Sequence, residues 1–341
     1  MMPVLYVFGI ILAIRSLTIG SPVNPEWSSL KGLNFIWNPD FSTLTWRSAL
    51  AAAGQIFFTL SIGMGIICNY ASYLKPDDDV VVSSIATISL NEFAEIVLGG
   101  SIVIPIAYAF LGPDGIGAGV GLSFIALPNV FRTMAGGQFF GGLWFLLLFF
   151  AGFTSAIAMY NYLTALVEED LGIPRKTAAW IIFVAYIIVG LPVGLEQIIN
   201  KTADLAYFTE IDNWVGSYLL LVLGLIEIIV VAYLMGEKSL TEINKGGIWQ
   251  MPRWFYTVFM RVLTPASLII VLTFSTLDYI KAGYFKAIPD FVAGTPVLIP
   301  WVNAARVVIL LVFLAGTLQS YKSIKNKYGK EIEENTVSIR V

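Results

Sequence analysis

The sequence has 341 residues, of which 57% are hydrophobic and only 13% charged, with a formal net charge of −3. Soluble domains are closer to half apolar and a quarter charged, so this composition indicates a polytopic protein embedded in a lipid bilayer. There is no histidine and only one cysteine, Cys68, which excludes a disulfide framework and a cysteine-based metal site. No basic stripe indicates binding to nucleic acid.

A spanning helix needs about 20 apolar residues, and runs of about that length or longer recur about eight times along the chain. The predicted spans are 3–19, 46–73, 80–111, 138–166, 178–195, 207–235, 253–280 and 297–320. Residues 20–45 form a polar loop, and the glycine-rich stretch 112–137 is expected to be a re-entrant or surface helical hairpin. We therefore expect an all-α membrane protein with a transmembrane domain over 1–325 and a tail over 326–341. The bias of Lys and Arg predicts that the tail is cytoplasmic and that 20–45 and 112–137 are external.

The second predicted span has a middle that is unusual for a plain spanning helix. Thr59 lies among large apolar residues, and Ser61, Gly63 and Gly65 follow at once. Small and hydroxyl residues at this depth weaken a helix and offer oxygen atoms, and an interrupted apolar segment is a pointer to a transporter binding site. The alternative is a continuous helix whose small residues allow close packing. The composition of the segment does not decide between these two interpretations.

Other spans carry polar residues that are costly inside a membrane unless they are paired or hydrated. Asn91 and Glu95, with Glu92 between them, are one helical turn apart and are predicted to share a face. Thr154 and Ser155 could supply hard oxygen ligands to a cation, or could bond back to their own helix.

Charged residues near the ends of spans have simpler alternatives. Asp212 could be the N-cap of the span that begins near residue 207. Arg261 and Arg306 are expected to pair or to reach towards the membrane surface rather than bind substrate.

Several of these stretches together resemble the neurotransmitter:sodium symporters, especially the prokaryotic amino-acid transporters of that family. The segment GQIFFTLSIGMG at 54–65, with YASY at 70–73, resembles the family's broken sixth helix. The segments SLNEFAEIVLGG at 89–100, FFAGFTSA at 149–156 and EIDNWVG at 210–216 resemble its seventh, eighth and tenth helices. EINKGG at 242–247 resembles the loop that follows. The resemblance extends from about residue 3 to about residue 325.

The resemblance implies a role for each matching residue. Sodium ligands would be Thr59 and Asn91 at a first site, and Ala151 (through its carbonyl), Thr154 and Ser155 at a second. Residues lining the substrate pocket would be Phe58, Thr59, Ser61, Met64, Ser155 and Met159. Asp212 and Gln55 would belong to an extracellular gate, and Tyr73 and Glu169 to an intracellular gate. Glu95 stands where chloride-dependent members carry a serine, so its carboxylate would replace chloride in balancing the charge of Na⁺.

The resemblance also implies a fold and a mechanism. It predicts the C-terminal part of an inverted-repeat fold of five plus five helices, with the first four helices, and their broken helix, absent from this chain. The implied activity is Na⁺-coupled symport of a hydrophobic amino acid by alternating access across the cell membrane. The alternatives are a truncated remnant that does not transport, or one part of a split transporter whose missing half is a separate partner. An intramembrane enzyme using Glu92, Glu95 and Asp212 is disfavoured, because these carboxylates have no His or Cys beside them.

Overall fold

A computed structural model describes residues 2–75, 77–113, 116, 122–201 and 205–333. Within these residues the chain is helical, with no strand. The helices of six or more residues are α1 (Met2–Leu17), α2 (Ser29–Trp37), α3 (Trp46–Thr59), α4 (Ile66–Ala71), α5 (Val80–Leu111), α6 (Leu127–Thr133), α7 (Gly137–Leu171), α8 (Arg175–Asn200), α9 (Ala206–Met235), α10 (Glu237–Ile243), α11 (Arg253–Lys281) and α12 (Ile299–Glu333).

Six of the described helices are long and apolar enough to cross a membrane, namely α5, α7, α8, α9, α11 and α12. Each corresponds to one of the predicted spans. Several continue beyond the predicted apolar run: α7 includes Glu168, Glu169 and Asp170, and α12 continues to Glu333. The reason is physical, because an apolar run reports the depth of the hydrocarbon layer, whereas a helix can continue into the polar interface. The acidic group at 168–170 therefore lies inside α7 rather than ending it.

The other two predicted spans take different forms. Residues 3–19 correspond to α1, an apolar helix of 16 residues, and residues 46–73 correspond to the separate helices α3 and α4. A total of about eight spans, the domain boundary at 325 and the cytoplasmic tail remain predictions. The tail residues 334–341 lie outside the described part of the chain.

The described chain divides into two compact units. The first unit comprises Met1–Thr43 and Ser83–Ala158, and its core joins α1, the second half of α5, α6 and the start of α7 around Leu12, Ile106 and Leu127. The second unit comprises Leu44–Val82 and Met159–Val341. Its largest core packs Leu50 of α3 against Leu221 and Ile228 of α9 and Leu272 of α11.

The predicted polar loop 20–45 contains a helix that sequence reasoning missed. Ser28 is the N-cap of α2, and its hydroxyl accepts a hydrogen bond from the Lys31 amide at 3.2 Å. α2 lies against the second half of α5 so closely that a Cβ on Gly32 would be 2.7 Å from the Pro105 Cα. The glycine-rich stretch 112–137 contains α6, whose Leu127 is fully buried; residues 114, 115 and 117–121 of the predicted hairpin lie outside the described residues.

Candidate functional site

The helix through residues 46–73 is interrupted, which decides between the two interpretations that composition left open and agrees with the resemblance to a broken helix. α3 ends at Thr59, and Ser61 then adopts a left-handed backbone conformation with φ 55°. The Ile62 amide donates to the Phe57 carbonyl at 2.9 Å and the Ser61 amide to the Phe58 carbonyl at 3.0 Å. These two bonds, together with the left-handed conformation of Ser61, form a Schellman motif. This motif terminates a helix and satisfies two of its last carbonyls.

The chain resumes its helix at Ile66, directly after Gly65. Gly65 has φ 73°, a conformation that side chains with a Cβ rarely adopt. A Cβ at this position would also collide with the phenol of Tyr162 on α7. The break at residues 60–65 is thus fixed by a left-handed turn at each end and by a tyrosine packed against its second turn.

The interruption brings the carbonyls of a helix end and side-chain hydroxyls into one short segment. The last carbonyls of any helix have no intrahelical donor, and here they belong to the segment that carries the hydroxyls of Thr59 and Ser61. Residues of the predicted pocket, Phe58, Thr59, Ser61 and Met64, lie in or next to this break. The arrangement concentrates hard oxygen atoms and apolar side chains in about two turns of chain, which suits a cation beside an amphipathic ligand.

α3 is held against α9 by close backbone approach within the second unit. A Cβ on Gly54 would lie 3.0 Å from the Ser217 Cα, and the ring of Phe57 occupies the space beside Gly224, where no side chain could fit. α9 also widens into π-helical turns at Asp212–Tyr218 and Val230–Met235. The break is therefore positioned by packing on a helix that is itself irregular.

The predicted second sodium site lies on a single turn of α7. The Thr154 hydroxyl is 3.0 Å from the Ala151 carbonyl oxygen and 3.0 Å from that of Phe150, so it bonds back to its own helix. This is the alternative that the sequence left open for Thr154. It is compatible with cation binding, because a hydroxyl that donates its proton keeps its lone pairs as acceptors. Ser155 follows on the same turn and is exposed.

Asn91 and Glu95 share a helix face, as predicted. The Asn91 side-chain nitrogen donates to a Glu95 carboxylate oxygen at 3.4 Å, and both side chains are partly buried in the first unit. α5 widens into π-helical turns from Phe93 to Gly100, and such local widening is frequent at functional positions. A carboxylate thus lies beside the amide that the family resemblance assigns to sodium.

The N-cap interpretation of Asp212 is wrong, because α9 begins at Ala206, six positions earlier in the sequence. The buried carboxylate of Glu196 on α8 serves that helix end instead. One of its oxygens accepts from the Ala206 amide at 2.7 Å and the other from the Tyr207 amide at 2.9 Å. Asp212 itself lies in the second turn, exposed, with its carboxylate folded over Gly216.

The remaining gate residues have varied surroundings. Gln55 lies exposed on α3, and Tyr73 lies exposed just beyond α4. Glu169 is exposed on α7, while its neighbour Asp170 accepts a hydrogen bond from Ser323 of α12 at 2.9 Å. Sequence reasoning did not single out Asp170, whose partner lies 153 positions away.

A buried ion pair beside Asp212 was only partly foreseen. Arg306 of α12 donates to the fully buried Glu210 carboxylate at 2.6 Å and to the carbonyls of Tyr284 and Lys286, each at 2.6 Å. The Trp214 indole donates to the same Glu210 oxygen at 2.9 Å. The expected pairing of Arg306 is therefore observed, and so is that of Arg261, whose guanidinium lies 3.5 Å from the Glu237 carboxylate.

The predicted residues are divided between the two units. The first unit holds Asn91, Glu95, Ala151, Thr154 and Ser155, and the second holds Gln55, Phe58, Thr59, Ser61, Met64, Tyr73, Met159, Glu169 and Asp212. Within their units, the structure brings together Asn91 with Glu95 and Ala151 with Thr154. No group of three or more metal-binding carboxylate or thiol side chains occurs among the described residues.

Comparison with known proteins agrees with these features. The family model described as the sodium:neurotransmitter symporter family matches residues 1–320. The described part of the chain contains an interrupted helix and six apolar helices of membrane-spanning length, so this is a multi-pass membrane protein. The chain belongs to the sodium:neurotransmitter symporter family.

Individual relatives are named as transporters, not enzymes. An uncharacterized sodium-dependent transporter of Methanocaldococcus jannaschii is 27% identical over 338 residues, which are 95% of this chain and 63% of that protein. An uncharacterized sodium-dependent transporter of Bacillus subtilis, YhdH, is 30% identical over 80% of this chain and 59% of that protein. A sodium- and chloride-dependent glycine transporter of Xenopus laevis is 24% identical over 80% of this chain and 43% of its own length.

A solved structure is also similar. The crystal structure of MhsT in complex with L-phenylalanine has a TM-score of 0.68 and 28% identity, covering 80% of this chain and 60% of that one. The chain thus spans about 60% of the length of MhsT and of the archaeal and Bacillus relatives.

Proposed function

We propose that this chain forms the site-bearing part of a sodium-coupled amino-acid symporter that works by alternating access. The observation that carries the proposal is the interruption at residues 60–65, where Ser61 and Gly65 end one helix and begin another. Broken helices at mid-membrane are the device by which such transporters expose backbone groups to substrate and coupling ions. No covalent bond is made or broken in this activity.

The proposed substrate is a hydrophobic amino acid. Phe58, Met64 and Met159 would contribute apolar, adaptable surface, and Thr59, Ser61 and Ser155 would contribute the polar contacts of the pocket. The phenylalanine bound to MhsT supports this choice. A large apolar side chain therefore occupies the pocket in our proposal, and small polar amino acids are poorer substrates.

Sodium is the proposed coupling ion, bound at two sites. Thr59 and Asn91 would contribute to the first site, and Ala151, Thr154 and Ser155 to the second. The 3.0 Å separation between the Thr154 hydroxyl and the Ala151 carbonyl supports a shared ion at the second site. At the first site, the Glu95 carboxylate beside Asn91 would balance the positive charge in place of chloride.

Access to the site would be controlled at both membrane faces. We assign Asp212 and Gln55 to the extracellular gate and Tyr73 and Glu169 to the intracellular gate. The proposed protein lies in the cell membrane with residues 1–325 as its transmembrane domain and a cytoplasmic tail at 326–341. A symporter in this orientation takes up its amino acid by using the inward sodium gradient.

A second candidate is a chain that transports only when further helices complete it. Asp212 and Glu227 are exposed on α9, within a span, and a carboxylate that faces lipid is costly. Covering polypeptide or a water-filled cavity would remove this cost. The chain also spans about 60% of the length of MhsT. In this reading the chain alone is a non-transporting remnant or one part of a split transporter.

The test is a scintillation-proximity assay of phenylalanine binding to purified protein, with Na⁺ and with K⁺ in its place. The chain is assayed alone and after co-expression with the part of the M. jannaschii relative that lies outside the matched region. Na⁺-dependent binding by the chain alone supports a self-sufficient site, and binding only after co-expression supports the second candidate. Absence of Na⁺-dependent binding in both preparations contradicts the proposal.

A matched pair of variants locates the ion site. Thr154→Val removes a proposed ligand, and Thr317→Val removes a threonine that bonds back to the Phe313 carbonyl in the same way on α12. Thr154→Val should raise the Na⁺ concentration required for binding at least about tenfold, the equivalent of roughly 1.4 kcal/mol. Thr317→Val should leave it unchanged, and equal effects would contradict the assignment.

A further inference from the structure

The loop between α10 and α11, residues 244–252, is held rigidly by its own side chains. Asn244 uses both ends of its amide on Met251: its nitrogen donates to the Met251 carbonyl at 3.1 Å, and its oxygen accepts from the Met251 amide at 2.7 Å. The Gly247 amide also donates to the Asn244 carbonyl at 3.4 Å. These contacts close the 244–252 loop into a compact turn.

The same loop is docked on the segment that precedes α5. One oxygen of Asp79 accepts from the amides of Ile248 at 2.8 Å and Trp249 at 3.3 Å. Gly246 lies so close to this segment that a Cβ would be 2.7 Å from the backbone of Asp77. The backbone of the loop therefore faces the protein.

The side chains at the tip are exposed. Ile248 has 91% of its surface accessible, the highest value among the large hydrophobic residues of the described chain, and Trp249 has 64%. Trp254, at the start of α11, is also 64% accessible. A rigid turn that presents an isoleucine and a tryptophan outward is an apolar protrusion and not a disordered loop.

The position of the loop indicates what this protrusion contacts. α9 ends at Met235 and α11 begins at Arg253, so the loop joins two spans at one face of the membrane. Tryptophan is enriched at that depth because its ring is apolar while its N–H prefers water. The exposed cations Lys245 and Arg253 flank the tip, paired with Glu242 at 3.5 Å and Glu237 at 3.2 Å. Exposed pairs of this kind contribute little to stability, so both cations can exchange their carboxylate partners for anionic headgroups.

We propose that Ile248 and Trp249 form an interfacial anchor that inserts into the headgroup region of an anionic bilayer, with Lys245 and Arg253 on the lipid phosphates. Through Asp79 the anchor connects the lipid surface to the short segment between the broken helix and α5. The anchor is independent of the proposed transport function, since it needs neither sodium nor substrate.

The experiment uses a single fluorescent probe at the tip. Cys68→Ser removes the native thiol, the only cysteine of the chain, and Ile248→Cys is labelled with the polarity-sensitive dye NBD. Glu242→Cys, on the exposed face of α10, is the matched control, because its pair with Lys245 is exposed at 3.5 Å and contributes little to stability. Both labelled proteins are reconstituted in vesicles of phosphatidylcholine and phosphatidylglycerol, and a matching detergent elution profile verifies folding.

The expected result is quenching of the Ile248 label by nitroxide-labelled lipid and protection from aqueous iodide. Interfacial groups lie about 5–10 Å into the headgroup boundary, so a nitroxide near the headgroup should quench at least about twofold more than one at the chain end. The label at residue 242 should be quenched strongly by aqueous iodide and weakly by nitroxide-labelled lipid. Quenching of the Ile248 label by iodide to the same degree as Glu242 overturns the proposal. Protection from both quenchers also overturns it, because it indicates cover by protein.

Discussion

At the scale of single residues, Gly65 is required for two separable reasons, its left-handed backbone conformation and its close contact with Tyr162. Its φ of 73° disfavours any side chain, and Tyr162 fills the space that a Cβ would need. Gly172 provides the comparison, because it has φ 63° but no atom within 4 Å of its Cβ position. The pair distinguishes the backbone preference from the steric contact at the break.

We expect Gly65→Ala to destabilise the protein more than Gly172→Ala. The left-handed conformation costs an alanine about 1–2 kcal/mol at either position, and displacement of the Tyr162 ring should add about 1–3 kcal/mol at residue 65 alone. Thermal unfolding in detergent measures the difference. Adding Tyr162→Leu to Gly65→Ala should reduce the difference in thermal stability between the residue-65 and residue-172 variants. An unchanged difference would argue against the Tyr162 contact.

The Glu210–Arg306 pair allows a second residue-scale prediction. Glu210 is fully buried and depends on Arg306 for its charge partner. Arg306→Met leaves that carboxylate uncompensated, which should lower the free energy of unfolding by about 3–5 kcal/mol. The exposed pair Lys31–Glu26 at 2.7 Å is the control, and Lys31→Ala should have little effect. Equal losses in denaturant unfolding would contradict this distinction.

At the scale of elements, the broken helix shows how local chemistry ends and restarts a secondary structure. The Schellman bonds from Ser61 and Ile62 are made within six residues of chain, so the interruption is visible in the sequence as hydroxyls and glycines inside an apolar run. The contacts that place the break, Gly54 on Ser217 and Tyr162 on Gly65, come from distant helices. Local chemistry permits a break and the family resemblance implies one, whereas the surface that faces the break depends on tertiary packing.

Asp79 joins two elements and gives the 244–252 loop a dependence on pH. A hydrogen bond from the Val82 amide is the main cause that holds the pKa of the Asp79 carboxyl below its usual 3.8, and hydrogen bonds from the Trp249 and Ile248 amides add to it. The charged form is therefore favoured in the folded state. The charged carboxylate therefore contributes its full stabilisation of the folded state above the usual pKa, and this stabilisation is lost as the pH falls through the lowered pKa of the folded state.

Acidification below pH 3.8 should accordingly release the 244–252 loop. A spin label at Gln250→Cys, in the Cys68→Ser background, should gain mobility at low pH. Asp79→Asn has no charge to lose and should show no such transition, which separates Asp79 from the neighbouring carboxylates Asp77 and Asp78. The same pH transition in both proteins would show that another group titrates.

At the scale of the whole molecule, the position of charge indicates which surfaces are covered in the membrane. Glu227 lies inside the span formed by α9 and is exposed in the described chain. Glu26 is also an exposed carboxylate, but it lies in the loop before α2. Glu227 is costly if it faces hydrocarbon, whereas Glu26 carries no such cost because it remains in water.

We therefore expect Glu227→Leu to stabilise the isolated chain, while Glu26→Leu does not. Removing an acidic group from a spanning segment recovers up to about 2.5–3.5 kcal/mol if that group faced lipid. In the co-expressed assembly, where polypeptide or water covers α9, the gain should disappear. Thermal unfolding of both preparations measures this difference, and an equal gain in both would mean that the residue faces lipid permanently.

The sequence by itself determined those features that depend on neighbouring residues. Six of the eight predicted apolar runs form long helices in the described part of the chain, and hydrophobic length accounts for them. The shared face of Asn91 and Glu95 follows from the helical period. For the interruption after Thr59, composition left two interpretations open, and the family resemblance favoured the break. The family, and with it the proposed roles of the site residues, also follows from motifs in chain order.

Only the tertiary structure decided the features that depend on distant partners. Glu196 caps a helix that begins 10 positions later, Arg306 neutralises a carboxylate 96 positions away, and α2 forms against α5 inside a stretch predicted to be loop. The physical reason is that burial determines how much free energy an ion pair or a helix cap contributes, and burial depends on how the helices pack.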